Sequence, residues 1–560
     1  MQYKQINITK IKLKKINWFG INFFYKYLPP IITKKIKFIY LKKILKIQRG
    51  FNKLRNNNKD DLYYKIVDDF EKLDLKIDDK KFSKLIFGEK ITEYEKIIKQ
   101  HILFYFINQS RTQFNITRSM LLFNTYNRKL IYPINWRFIK IFENNNIPVN
   151  SFLSSFYWYF SVSIFYLIGI KKILKIIIDL FISNKAFLKH SIYFDKLPLE
   201  ALNLDDQYQD NENYFTFIIN YYKKNNLPLK RINHSINDSN NFYYNNIFFG
   251  FEKKFNSKLN SLEKLDYLFW SIKAIFLSLF DLLRGRWWHP LLLSEAAERY
   301  FVSKLKFNSL HDMYLFSQSG GYIIRPMWTY EAENKGSKIV FYFYSLNYSP
   351  ITKQKYRPLG IFISTWSNYI VWNKFHENHL KHYCGINFKV LYSFPTFFDT
   401  GLKEFNPPKE NFVTIFDIPP SRPAREKSTL IATNLFNTHN CIKFLEAIID
   451  MSLKYNVKVI LKVKRLHSII DRKYLVYLNN QINNNKVYLL NDDISTISLI
   501  KKSKLIISYP ITSTNHLASY FNVKNYYYSP IKDTIDENLL FNSKIIYNKK
   551  NLDKIFLDNF

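Results

Sequence analysis

Lys504–Thr514 reads KLIISYPITST and runs directly into Asn515-His516-Leu517-Ala518. Leu505-Ile506-Ile507 is apolar and rich in β-branching, as a strand covered on both faces should be. Pro510 ends it. Thr512, Ser513 and Thr514 then stand where a helix N-terminus leaves backbone N–H groups without partners. Such a terminus attracts anions, phosphate above all. The plain alternative is an ordinary N-cap.

The flanking sequence repeats the pattern. Val457–Val463 (VKVILKV), Lys486–Leu490 (KVYLL) and Lys524–Tyr528 (KNYYY) read as strands. Thr438–Leu453 carries Phe444, Leu445, Ile448 and Ile449 at helical spacing, with Asn437 or Thr438 as N-cap. Ile494–Lys501 and Thr514–Phe521 predict shorter helices. Alternating strands and helices with short connections imply parallel βαβ units, whose ligands bind beyond the carboxyl ends of the strands. Polar residues collect at those ends: Lys462, Lys464 and Arg465 after the first strand, Asp492 and Asp493 after the second, Thr512–Thr514 after the third. Cations beside an open helix N-terminus would neutralise a sugar-linked phosphate. For Lys464-Arg465 the alternative is a solvated basic edge in a lysine-rich chain.

Tyr509-Pro510-Ile511-Thr512-Ser513-Thr514 resembles the signature of the polysaccharide biosynthesis PFTS-motif family of sugar transferases, with Ile511 standing where the family has Phe. Lys462-Val463-Lys464-Arg465, Phe416-Asp417-Ile418-Pro419 and Val340–Asn347 fit the same family. The resemblance runs from about Trp288 to Tyr547. It implies a GT-B-like glycosyltransferase: α/β, with two Rossmann-like domains, the acceptor held in the first and the nucleotide-sugar in the second. Bacterial sialyl- and Kdo-transferases of that fold hold a CMP-sugar with a basic element and a Ser/Thr pair. Lys462, Lys464, Arg465, Thr512, Ser513 and Thr514 stand in comparable places and would bind the donor phosphate. Asn347, Asp492 and His516 are further cleft candidates; for His516 the alternative is packing. Enzymes of this type generally work without a metal, so no metal site and no cofactor are expected, the nucleotide-sugar being a substrate.

An acceptor hydroxyl needs a base. Glu331, and after it Glu333, follow Trp328-Thr329-Tyr330 ahead of a predicted strand; Glu295, His289 and His311 are rivals.

At 560 residues with 47% hydrophobic composition, the chain can bury about two or three domain cores. Strands are expected at Lys338–Tyr344, Leu359–Thr365 and Asn387–Tyr392, and a proline-rich hinge over Phe394–Arg425. The expected organisation is a mainly helical, basic, membrane-associating extension over 1–280, an acceptor domain over 281–405 and a donor domain over 406–560. Within the extension, Leu202–Asn246 reads as loop or insertion.

The formal net charge is +38, and no Asp or Glu precedes Asp60. Aromatics such as Trp18, Phe19, Phe23 and Phe24 interleave with the cations of that leader, which suits an anionic membrane surface. Nucleic acid is the competing partner for such charge, but no zinc spacing, RNP-like motif or helix-turn-helix accompanies it, so none is expected. The two cysteines, Cys384 and Cys441, support neither a disulfide framework nor a thiolate metal site and fit a reducing cytoplasm. No secretory leader is expected. Phe152–Ile170 has no charge and is near the minimum length for a bilayer span, with a buried or interfacial helix as the alternative; Lys273 and Asp281 interrupt a second apolar run, Tyr267–Leu283.

The resulting expectation is a peripheral enzyme at the cytoplasmic face of the membrane, adding sugar to a surface polysaccharide such as capsule or to a lipid-linked glycan. The competing readings are a non-catalytic membrane-associated assembly or nucleic-acid-binding protein with a Rossmann core, and a CDP-polyol phosphotransferase.

Overall fold

A computed structural model of the chain describes residues 69, 72, 94–104, 129, 134–145, 149–182, 190–197, 199–202, 214–236, 241–252, 254–255, 259–317, 324–343, 365–384, 387–396, 403–420, 437–463, 470–509, 512–532 and 544–560. Among these the order is α1 (Tyr94–Phe104), α2 (Trp136–Asn144), α3 (Ser151–Ile182), β1 (Ser191–Phe194), α4 (Thr216–Lys224), β2 (Arg231–His234), β3 (Phe242–Tyr244), β4 (Ile247–Phe251), α5 (Ser261–Leu283), α6 (Trp288–Lys304), β5 (Met313–Ser317), α7 (Trp328–Asn334), β6 (Lys338–Tyr342), β7 (Asn368–Val371), α8 (Lys374–Tyr383) and β8 (Lys389–Ser393). The second half continues with β9 (Phe412–Asp417), α9 (Thr438–Lys454), β10 (Lys458–Val463), α10 (Arg472–Asn483), β11 (Tyr488–Leu489), α11 (Thr496–Lys501), β12 (Leu505–Ser508), α12 (Ser513–Tyr520), β13 (Lys524–Tyr528), β14 (Lys544–Ile546) and α13 (Lys549–Leu557).

The strands form two sheets, of eight strands in the order β3-β4-β2-β1-β5-β6-β7-β8 and of six in the order β11-β10-β9-β12-β13-β14. Every pairing is parallel except β3 with β4. Parallel neighbours need crossover connections, and the helices between strands supply them. This is the GT-B-like arrangement of two doubly wound sheets. In the first sheet the chain moves from β1 out through β2, then returns to add β5 on the other side of β1. In the second it moves from β9 through β10 to β11, then returns to add β12 beside β9. The order therefore reverses at β1/β5 and at β9/β12, the places where open α/β sheets leave a crevice for ligands.

Burial explains why these strands are central. All four residues of β1, all five of β5, all six of β9 and all four of β12 are buried. α9 turns Phe444, Leu445, Ile448 and Ile449 into the second core. α3 lies so close on α6 that a Cβ on Gly169 would come within 2.7 Å of the Leu293 side chain. Trp287 meets Phe138 and Trp158 edge-on at 5.7 and 5.0 Å.

Three sequence expectations change here. The stretch over 1–280 is not separate from the first domain, because β1 to β4 lie within it and complete the sheet that β5 to β8 begin. Leu202–Asn246 holds α4, β2 and β3 rather than loop alone; its strands are only three or four residues long and their Asn, His and Tyr content hides them. Inside the expected hinge, Phe412–Asp417 is the buried strand β9, with prolines only on its flanks. Leu359–Gly360-Ile361–Ser364 and the leader before residue 69 lie outside the described residues, and the strand near the former is Asn368–Val371.

Candidate active site between the two sheets

The second switch point is built from β9, β12 and α12. Asp417 is the last residue of β9 and Ser508 the last of β12; Tyr509 N–H donates to the Phe416 carbonyl at 2.9 Å and keeps the two strand ends together. The Tyr527 hydroxyl, from β13, donates to the Thr512 carbonyl at 2.9 Å and fixes the turn. Thr512 is the N-cap of α12 in extended conformation, yet its side chain makes no capping bond; it accepts instead from the Thr514 hydroxyl at 3.0 Å. The neighbouring helices differ. Asn437, Asp471 and Ser495 each cap their helix with a side-chain oxygen.

Polar atoms without partners occur at the ends of these strands and in the first turn of α12. Asn515 is fully buried, and neither its amide nitrogen nor its oxygen has a partner. The same holds for Ser508 Oγ, Asp417 Oδ1 and His516 Nδ1. The Tyr474 hydroxyl donates to the other Asp417 oxygen. Burial pushes the Asp417 carboxyl up to about 7 and the His516 imidazole down to about 4. Buried polar groups are normally hydrogen-bonded, and each one left unpaired costs about 1–3 kcal/mol.

α12 also faces the first domain. Tyr520 meets Phe394, just past β8, with ring centroids 5.3 Å apart. His376, in the first turn of α8 and so just beyond the carboxyl end of β7, is buried, and its Nε2 has no partner. Burial, then the charges His379 and His516 would carry, bring its pKa down to about 3. The carboxyl edge of the first sheet and α12 therefore share one seam.

At the first switch point, Asp195 follows β1 directly, with Oδ2 buried and unpartnered. His234 closes the neighbouring β2, paired in register with Phe194; its Nε2 is likewise unpartnered, and burial brings its pKa to about 4. Burial alone would lower the pKa of Lys254, but the charges of Glu298, Asp195 and Glu295 outweigh it and hold the ammonium above the usual lysine range.

The structure brings Thr512, Ser513, Thr514 and His516 to this seam. Lys462, Asp492, Glu331 and Glu333 are engaged or placed elsewhere. Lys462 spends its ammonium on the Asn491 and Ile494 carbonyls, tying down the loop after β11. Asp492 is exposed in that loop at the edge of the sheet, beside the Lys403–Asp493 pair. Glu331 is buried in an ion pair with Arg299 of α6, and Glu333 takes Arg325 at 2.7 Å. Glu333 also lies near Asn368, at the amino end of β7, away from the carboxyl edge. Neither glutamate is available to take a proton from a substrate. The rivals are also engaged: His289 with Asp281, His311 with Ser191, Glu295 with the Met327 N–H. Lys464, Arg465 and Asn347 lie outside the described residues. Asn515, Asp195, His234 and His376 went unread in the sequence. For Asp195, His234 and His376 the one signal was a place at or just past a short strand, SIYF, RINH or NYIV; Asn515 had none.

A family model described as polysaccharide biosynthesis PFTS motif protein matches residues 270–556. The chain belongs to this family. The PFTS match begins within α5 and ends within α13, so β1 to β4 fall outside it. No curated protein matches the chain. Among solved structures, the wall teichoic acid polymerase TagF aligns at 10% identity over 72% of this chain and 90% of its own, with a TM-score of 0.35. The UDP-GlcNAc 2-epimerase of Methanocaldococcus jannaschii aligns at 14% identity over 66% and 92%, with a TM-score of 0.31. TarM aligns at 12% identity over 47% of this chain, with a TM-score of 0.29, and the alignment spans 51% of TarM. At such scores the fold assignment rests on the two sheets themselves.

Proposed function

We propose that this PFTS-family protein is a glycosyltransferase that moves a sugar from a nucleotide-sugar to a surface polysaccharide or lipid-linked glycan at an anionic membrane surface. The observation that carries the reading is the fully buried, unpartnered Asn515 amide in the uncapped first turn of α12, set at the switch point of the second sheet. A donor phosphate seated there would meet the positive end of the helix, the hydroxyls of Thr512 and Thr514, and the Asn515 amide.

The chemistry then has a defined direction. An acceptor oxygen bonds to the anomeric carbon as the bond from that carbon to the donor phosphate breaks, and the electron pair leaves on the phosphate oxygen. The α12 terminus stabilises that charge without a resident metal. The acceptor's proton passes to Asp195, the carboxylate at the switch point of the first sheet, with His234 beside it to position it.

Calorimetric titration of CMP-, CDP-, UDP- and GDP-sugars tests the donor site. One of them should bind the wild type, and Thr514→Ala/Asn515→Ala should weaken that binding at least about tenfold. Equal binding by both proteins, or none by either, would sink the assignment.

A further inference from the structure

α5 is turned inside out. Its inward face carries Tyr267, Trp270, Ser271, Ala274, Ser278 and Asp281. Its outward face carries Leu262, Leu265, Phe269, Ile272, Phe276, Leu279 and Leu283, at steps of three and four residues, each exposed by more than a third. Phe269 and Phe276 are 71% and 66% exposed. An ordinary surface helix would place those residues inward.

α3 continues the surface. It lies antiparallel beside α5: the Tyr166 hydroxyl donates to the Ile275 carbonyl at 3.1 Å, Tyr159 reaches Gly285 near the end of α5, and Lys264 near its start lies over the Phe181 ring near the end of α3. Both helices rest on α6. Phe152, Phe156, Phe160, Leu167, Leu174, Ile178 and Phe181 form the exposed stripe of α3. At 1.5 Å per residue the two stripes run about 44 and 32 Å. Soluble monomers rarely leave apolar surface of that extent uncovered. Among the described residues no helix is long and apolar enough to cross a membrane.

We infer that the paired outer faces of α3 and α5 insert into the headgroup region of an anionic leaflet, lying in its plane. Charge selects this occupant. Lys171, Lys175, Lys273 and Arg284 are exposed cations on and just beyond the two helices, with Arg286 paired to Asp281; the exposed carboxylate there, Asp266, is held by Lys304. Two copies meeting through this face would set cation against cation in a chain of net charge +38. Anionic headgroups complement it, and long lysine and arginine side chains reach them while their stems stay among the aromatics. The inference names the surface behind the membrane location proposed above and does not depend on the donor chemistry. A chain that binds vesicles but no nucleotide-sugar would leave it standing.

Flotation of the full chain with vesicles of 70:30 phosphatidylcholine and phosphatidylglycerol tests it, against Phe269→Asp/Phe276→Asp and, separately, Lys273→Glu/Arg284→Glu. Both pairs are solvent-facing, and a circular dichroism melt checks that each variant folds. The wild type should float, the aspartate pair should lose at least about tenfold in partitioning, and the charge pair should lose less. The inference is overturned if the aspartate pair, folded, floats like the wild type, which would give the binding to another part of the chain. It is overturned equally if the wild type does not float, or if sedimentation shows a dimer that the aspartate pair breaks.

Discussion

Asp195 and Asp417 hold equivalent places in the two domains. Each stands at the carboxyl end of the first strand of its sheet, at the point where the strand order reverses. Their surroundings differ. Asp195 shares its neighbourhood with the buried ammonium of Lys254 and the unpartnered His234. Asp417 has the Tyr474 hydroxyl on one oxygen and nothing on the other, and burial pushes its carboxyl up to about 7. A carboxylate held near a cation has its charge balanced. One held without a countercharge favours its protonated form and suits a site where a phosphate, itself anionic, must come close. Two copies of one topology thus divide the chemistry by environment alone.

The sharpest break of that symmetry is kinetic. Asp195→Asn should lower transfer by about two to four orders of magnitude with donor binding unchanged, the range of a lost general base, whereas Asp417→Asn should keep transfer within about tenfold. Transfer rates beside calorimetric donor affinities read both; matching losses in the two variants would remove the division of labour.

The next effect is on stability. Glu331→Ala strands the buried Arg299 guanidinium and should cost about 3–5 kcal/mol in denaturant unfolding. Asn515→Ala removes a side chain that satisfies nothing within the chain and should change stability by less than about 1 kcal/mol. The pair separates structural charge from site polarity.

Smaller effects are set by pH. His101, His234 and His516, at about 4, and His376, at about 3, bind protons less readily in the fold than the usual 6.5. The unfolded chain gains protons first, so stability is full above about 6.5 and falls as pH drops toward 4. Asp417 acts with the opposite sign in much of the same window. The fold holds its proton between about 3.8 and 7 while the unfolded chain releases it, so its contribution weakens as pH rises to 7. Asp417→Asn should therefore make the melting temperature rise more steeply with pH from 4 to 7, and His376→Asn less steeply.

Much of the second domain was readable in advance from strands bounded by turn residues, although β9 lay inside the expected hinge and β14 was not read. KNYYY is β13 residue for residue, and the helix expected from Thr438 is α9 with one further residue at its end. The first domain hides in short strands of mixed composition such as RINH and NYIV, whose places come from pairing across the sheet rather than from local pattern. The site divides the same way. Thr512–Thr514 follow an unmistakable strand. Lys462, Glu331 and Glu333 have the right chemistry at promising positions, but partners outside their own segments claim them: Ile494, Arg299 and Arg325. Spacing cannot show which cation or carboxylate is already engaged. It equally cannot show that Asn515, in the first turn of α12, has a side chain left without a partner.

Calorimetry of the four nucleotide-sugar classes against the wild type and Thr514→Ala/Asn515→Ala weighs most. A single class bound by the wild type, with affinity reduced tenfold or more in the folded variant, is the result the account requires. Retention of full affinity by that variant would mean that phosphate does not sit at the mouth of α12, and the seam between the two sheets would need another occupant.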